Sequence, residues 1–222
     1  MTLTGRRILV TGASGGIGAA VARACLDAGA EVVAQGATRR PEIGEPVLAP
    51  LNGFENGRRL AAEARADGLV HCAARQDLAD FHDPAPWDDL PGVNLAAPHG
   101  LLAGLDGRSA VLLSSVEGTR PAPGHAAYAA TKAGLEALTK SAAHALAPMR
   151  VNAVAPGLTA RPGLSEQWPE GVARWRAAAA LGREATPEEV AAACLFLLSD
   201  AASGITGAVL TVDAGVSAGP GW

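Results

Sequence analysis

The stretch RILVTGASGGIGAAVARACLDA, Arg7–Ala28, decides the fold. Its first five residues, Arg7–Thr11, are an apolar run that reads as a buried strand. Glycines then crowd Gly12–Gly18, and from Gly16 to Ala28 the spacing turns helical, with Ala20, Val21, Ala24 and Cys25 on one face. A strand that enters a helix through a glycine-rich turn is the opening of a βαβ unit. The glycines let the backbone turn tightly and approach a bound pyrophosphate, and the helix N-terminus offers free N–H groups to it.

The rest of the chain repeats the alternation. Strands are expected at Glu31–Gln35, Pro46–Ala49, Gly68–Cys72, Ser109–Ser114, Arg150–Val154 and Ala208–Val212. Helices are expected at Glu55–Ala66, Gly92–Ala103, Ala126–Leu146 and Pro187–Leu198, the last opened by a Thr-Pro-Glu-Glu start. The Pro/Gly-rich pieces at 36–53 and 155–171 read as loops. Strand–helix alternation implies right-handed crossovers. The expected fold is α/β: a doubly wound, Rossmann-type, mostly parallel seven-stranded sheet with helices on both faces in three layers. No linker or internal repeat divides the chain, so 1–222 reads as one domain.

Composition narrows the function. Of 222 residues 49% are hydrophobic and 18% charged, which suits a globular core. Eighteen Lys and Arg against 22 Asp and Glu give a net charge of −4, without a basic block to neutralise phosphates, which argues against a nucleic-acid partner. No apolar run approaches a membrane span, and the N-terminus runs directly into a strand pattern. Cys25, Cys72 and Cys194 are widely spaced and form no metal-ligand pattern, so they read as buried reduced thiols. Together these features point to a cytoplasmic protein that binds no metal.

A second motif lies in VLLSSVEGTRPAPGHAAYAATK, Val111–Lys132. Tyr128 and Lys132 are one helical turn apart, so both leave one face of the helix. A free phenol titrates near about 10, and a nearby ammonium would lower that value. Tyr128 could then serve as general acid or base.

The spacing TGxxxGIG at Thr11–Gly18, with Tyr128-x-x-x-Lys132 downstream, resembles the short-chain dehydrogenase/reductase family. Asn94 in VNLAA, Ser115, VNAVAPG at 151–157 and the segment 181–215 extend the resemblance over nearly the whole chain. It implies an NAD(P)-dependent oxidoreductase interconverting a secondary alcohol and a ketone. Asn94, Ser115, Tyr128 and Lys132 would be the catalytic residues. Ser115 would bond the substrate oxygen, Lys132 would also hold the nicotinamide ribose, and Asn94 would hold a water that relays protons to Lys132. The dinucleotide would contact Gly12, Ser14, Gly15, Gly16, Ile17 and Gly18 in the loop and Gly36 and Arg39 after the second strand. Asn52 would lie near the adenine, Ala73 and Ala74 near the adenosine ribose, and Pro156, Gly157 and Thr159 near the nicotinamide, beside Tyr128 and Lys132. The family's subunits pair through the helices carrying Asn94 and Tyr128, so a homotetramer or homodimer is implied.

Two departures stand out. His71-Cys72-Ala73-Ala74 occupies the place of the family's NNAG, and the second strand ends in Gln35-Gly36-Ala37-Thr38-Arg39-Arg40 without an acid. An acid there would repel a 2′-phosphate, whereas Arg39 and Arg40 could pair with one, which favours NADP over NAD. On the substrate side the family's pocket positions fall on Gln76, Glu117, His125 and Arg161, with Arg75 nearby and a short lid over 158–176. These are polar, which favours a small polar substrate: a hydroxy or keto acid, a sugar-derived compound or a polyol. Arg75 and Arg161 could bind a carboxylate. Trp168 and Trp175 in the lid could close over substrate or pack the loop. The alternatives are a non-catalytic dinucleotide-binding sensor on the same fold, or a 3-oxoacyl thioester reductase.

Overall fold

The computed structural model describes residues 1–219, so the last three residues of the expected domain lie outside them. Seven strands form one sheet: β1 (Arg7–Thr11), β2 (Glu31–Gly36), β3 (Glu45–Leu48), β4 (Gly68–His71), β5 (Ser109–Leu113), β6 (Arg150–Pro156) and β7 (Val209–Val212). Their order is β3-β2-β1-β4-β5-β6-β7, and every neighbouring pair is parallel. The order reverses between β1 and β4. That switch point opens a crevice at the carboxyl ends of the two strands, where ligands of open α/β sheets bind.

The described residues hold eight α-helices: α1 (Gly16–Asp27), α2 (Phe54–Ala64), α3 (Ala85–Pro91), α4 (Ala97–Gly104), α5 (Ala126–Ala145), α6 (Leu164–Gln167), α7 (Pro169–Ala178) and α8 (Pro187–Leu198), of which α1, α2, α4, α5 and α8 pack on the sheet. The strands are apolar on both faces because both are covered. Ile8 and Val10 of β1 join Val21 and Cys25 of α1 and Val190 and Leu197 of α8 in one core. Leu9, between them, points the other way and joins Leu60 of α2, Leu101 of α4 and Leu135 of α5. The cysteines are free; Cys25 and Cys194 are buried, whereas Cys72, expected to be buried, is half-buried because it follows the end of β4, and burial pushes the Cys25 thiol up to about 12. No helix among the described residues is long and apolar enough to cross a membrane.

Helix α8 begins as its sequence demands. Glu189 N–H donates to Thr186 Oγ1 at 3.2 Å and Thr186 N–H to Glu189 Oε2 at 2.8 Å, a reciprocal capping box. Two regions differ from expectation. The helix expected at Gly92–Ala103 begins earlier, as α3, and continues through one π-helical turn, Gly92–Ala96, into α4. The widened turn, closed by the Ala97 N–H on Gly92 O, lies between Pro91 and Pro98 and carries the buried Asn94. The segment 155–171, expected as loop, holds the end of β6, all of α6 and the start of α7. Pro169 tolerates the first position of α7, where its missing N–H has no helical role.

Candidate active site

The glycine loop is fixed from β2. Gln35, fully buried, accepts the Gly12 N–H on Oε1 at 3.0 Å and donates from Nε2 to Ala49 O at 2.6 Å. Its backbone carbonyl accepts the Ala13 N–H at 2.9 Å. Gly12 has φ +67°, and a Cβ there would lie 2.7 Å from Ala73 N. A Cβ at Gly18 would collide with the Gly12 carbonyl oxygen. Both glycines are therefore required for α1 to start against the loop. Gly15 caps α1 without a side-chain hydrogen bond, so the first-turn N–H groups face the crevice without side-chain competition. Ser14 and Ile17 are half-buried, and at Gly16 (φ +54°) the space beyond the backbone is open.

Gly36 ends β2 in a turn so tight that a Cβ would run into Arg39 O. The turn sends the exposed Arg39 side chain back over the loop: its Nη2 lies 2.6 Å from where a Gly15 Cβ would sit. Helix-terminal donors and a guanidinium on one loop are a donor set for an anionic phosphate, so these residues fit the dinucleotide. Asn52 is exposed before α2, with its Oδ1 accepting from Asn56 Nδ2 at 2.6 Å. Ala73 is half-buried and Ala74 exposed.

His71, in place of a family asparagine, is 1% exposed at the end of β4. Nδ1 pairs with Thr11 Oγ1 at 2.8 Å, and Thr11 Oγ1 also accepts the Ala73 N–H at 3.3 Å. Nε2 has no partner among the described residues. Burial, then the charge of Lys132, pulls its pKa down to about 3, so the ring is neutral. His71 thus ties β4 to β1 as an uncharged strand-end residue satisfied on one nitrogen.

The four residues expected to be catalytic stand close by. Ser115 follows β5 and accepts the Glu117 N–H on Oγ at 3.1 Å, while its neighbour Ser114 turns away to Glu136 and the Lys132 carbonyl. Tyr128 and Lys132 share one face of α5. Lys132, 2% exposed, donates from Nζ to Leu113 O at 2.6 Å and lies 5.5 Å from the Tyr128 ring centroid. Burial pulls its pKa down to about 8. Tyr128 departs from expectation, because burial pushes its phenol up to about 12; a hydrogen bond with Ser115 opposes this and the charge of Glu117 adds to it. The Lys132 ammonium, turned toward the Leu113 carbonyl, does not counter the burial. Asn94 holds Arg75 by both backbone groups, accepting its N–H and donating to its O at 2.9 Å each, and donates to Thr131 Oγ1 at 3.1 Å. Its amide thus braces the segment after β4 against α5.

Three of the expected substrate residues come together. His125 Nδ1 lies 2.6 Å from Glu117 Oε2, and Gln76 Nε2 lies 3.3 Å from Glu117 Oε1. The His125 and Tyr128 ring centroids are 6.1 Å apart. Arg161 is exposed, with its backbone carbonyl capping α6. Arg75 pairs with Asp77 at 2.6 Å and Asp89 at 3.0 Å, so its guanidinium is engaged away from Glu117. Pro156 is buried at the end of β6. Gly157 is pressed by the Trp175 indole, 2.5 Å from where a Cβ would lie, and Thr159 donates from Oγ1 to Gly157 O at 3.1 Å. Trp168 packs on Gly171, so both lid tryptophans pack the lid. Sequence reasoning missed Gln35, Thr11 and Thr131. Gln35 carried the one available signal, a buried-strand position held by an amide.

Comparison with known proteins agrees with this geometry. A family model described as Enoyl-(Acyl carrier protein) reductase matches residues 58–217, and one described as NAD dependent epimerase/dehydratase family matches residues 8–88. A cis-4-hydroxycyclohexanecarboxylate dehydrogenase of Sinomonas cyclohexanicum is 37% identical, over 96% of this chain and 97% of its own. The solved 3-oxoacyl (acyl-carrier-protein) reductase of Agrobacterium tumefaciens C58, with NADP bound, superposes with TM-score 0.87 at 31% identity, covering 96% of this chain and 95% of that one. The ligand-free aldohexose dehydrogenase of Thermoplasma acidophilum gives TM-score 0.89 at 26% identity, covering 99% and 97%.

Proposed function

The chain belongs to the short-chain dehydrogenase/reductase family, and from that premise we propose an NADP-dependent enzyme that interconverts a secondary alcohol and a ketone on a small polar substrate. The observation that carries this is Tyr128 bonded to Ser115 with Lys132 5.5 Å from its ring, and Asn94 bonded to Thr131 on the same helix α5; a sensor has no use for the four together. When bound, the nicotinamide cofactor supplies or accepts the hydride. Gly12, Ser14, Gly15, Gly16, Ile17 and Gly18 would hold its pyrophosphate. Arg39 over Gly15 favours a 2′-phosphate, hence NADP. Gly36, Asn52, Ala73, Ala74, Pro156, Gly157 and Thr159 would flank the remainder.

Tyr128 moves the proton at Oη. Burial and Glu117 hold the phenol protonated, so it can donate as a general acid when a ketone is reduced and must release its proton before it can act as a base in the reverse reaction. Ser115 Oγ lies within the same hydrogen-bonding group and would orient the substrate oxygen. Lys132 keeps a cation beneath Tyr128, and Asn94 fixes the segment that carries Gln76. We place the enzyme in the cytoplasm, as a homodimer or homotetramer paired through α5 and the helical segment that carries Asn94 between α3 and α4. The test is a titration with NADPH and NADH followed by nicotinamide fluorescence. Saturable binding, tighter for NADPH, is expected. Binding of neither would remove the oxidoreductase reading.

A further inference from the structure

The polar corner beside Tyr128 has a definite chemical bias. Glu117 stands in the turn directly after Ser115, and its side chain is only 17% exposed. His125, 15% exposed, lies three residues ahead of Tyr128 and 2.6 Å from Glu117 through Nδ1. A carboxylate accepts hydrogen bonds and donates none, so Nδ1 carries the hydrogen. The neutral ring is then left with Nε2 as an acceptor. Gln76 donates to the other Glu117 oxygen, at 3.3 Å, and Arg75 is held by Asp77 and Asp89. No guanidinium neutralises Glu117 among the described residues, and its charge is felt at the Tyr128 phenol.

We infer that the Glu117–His125 dyad is the substrate-recognition element, selecting a neutral polyol or hydroxyketone with a hydroxyl on the carbon next to the reacting one. That hydroxyl donates to Glu117 Oε or His125 Nε2. A carboxylate at the same place brings acceptors to acceptors and negative charge to negative charge, so it is rejected. This rests on Tyr128 marking the reacting carbon, and it removes from the small polar class those 2-hydroxy and 2-keto acids whose carboxylate adjoins that carbon.

The test compares glycerol and propane-1,2-diol with acids of the same chain length, D- and L-lactate, in which the carboxylate always adjoins the single carbinol carbon. Binding to the wild-type enzyme with NADP+ is measured by saturation-transfer NMR at pH 8. The polyols are expected to bind, with the lactates at least about tenfold weaker. In Glu117→Gln the contrast is expected to shrink to within about threefold. Lactates binding as well as the polyols to the wild type, or no saturable polyol binding at all, would overturn the assignment. Polyol binding with the expected contrast but without any turnover by NADP+ would count against the oxidoreductase reading and leave the recognition element standing.

Discussion

Lys132 is an ammonium with 2% exposure, anchored by one carbonyl, and this has a measurable consequence. Burial lowers its pKa from 10.5 to about 8. That difference corresponds to a cost of about 3 kcal/mol for keeping the folded protein charged at this position. Below pH 8 folded and unfolded chains both hold the proton, and the folded chain bears the full cost. Between about 8 and 10.5 the folded chain sheds its proton first, the unfolded chain binds more protons, and stability is recovered as pH rises. Lys132→Met removes the titration. It also removes the bond to Leu113 O, but that loss is a constant offset. The wild type is therefore expected to gain about 2 kcal/mol over Lys132→Met between pH 7 and pH 9.5. Urea unfolding of both proteins across this range measures it, and the subtraction cancels the titrating groups that Lys132 does not touch; His71, which it does, is neutral throughout this range. A difference that stays flat with pH would refute the buried, desolvated lysine.

Three further outcomes follow from particular contacts. Arg39→Ala is expected to weaken NADPH binding about tenfold or more while leaving NADH within about twofold, read by fluorescence titration; equal loss for both would mean that Arg39 meets no 2′-phosphate. Glu117→Gln removes a charge that raises the Tyr128 pKa, so the ultraviolet titration of this phenol, the one tyrosine in the chain, should move to lower pH. Arg65 ends α2 with φ +48°, a conformation that costs an L residue, so Arg65→Gly should stabilise the fold by about 1 kcal/mol in urea.

Much of this was legible because local chemistry and global fold agree. β-branched runs on a sheet covered on both faces and a Thr-x-x-Glu cap at α8 leave few alternatives. The glycine loop and the Tyr128–Lys132 spacing placed the site because each motif fixes backbone or helix geometry directly. Where sequence reasoning fell short, tertiary contacts decide. The expected helix starts at Gly92, just after Pro91, yet helix begins at Ala85 and a π turn carries it past Pro91 and buries Asn94. Pro162, Gly163 and Pro169 read as loop, yet two short helices pack there once the Trp175 indole settles against Gly157. The Tyr128 pKa was misjudged because sequence spacing gives the nearness of Lys132 but neither the burial of the phenol nor the Leu113 carbonyl that engages the ammonium. That Glu117 pairs with His125 rather than with Arg75 depended on Asp77 and Asp89, which sequence position alone does not bring to Arg75.

The central claim is that Tyr128 donates the proton during reduction of a bound carbonyl. Its most direct test is ketone reduction by NADPH in Tyr128→Phe, beside NADPH affinity measured on the same preparation. The expected result is a loss of roughly 10²- to 10⁴-fold in kcat/KM with NADPH binding within about twofold of wild type. Turnover within about threefold of wild type would contradict it.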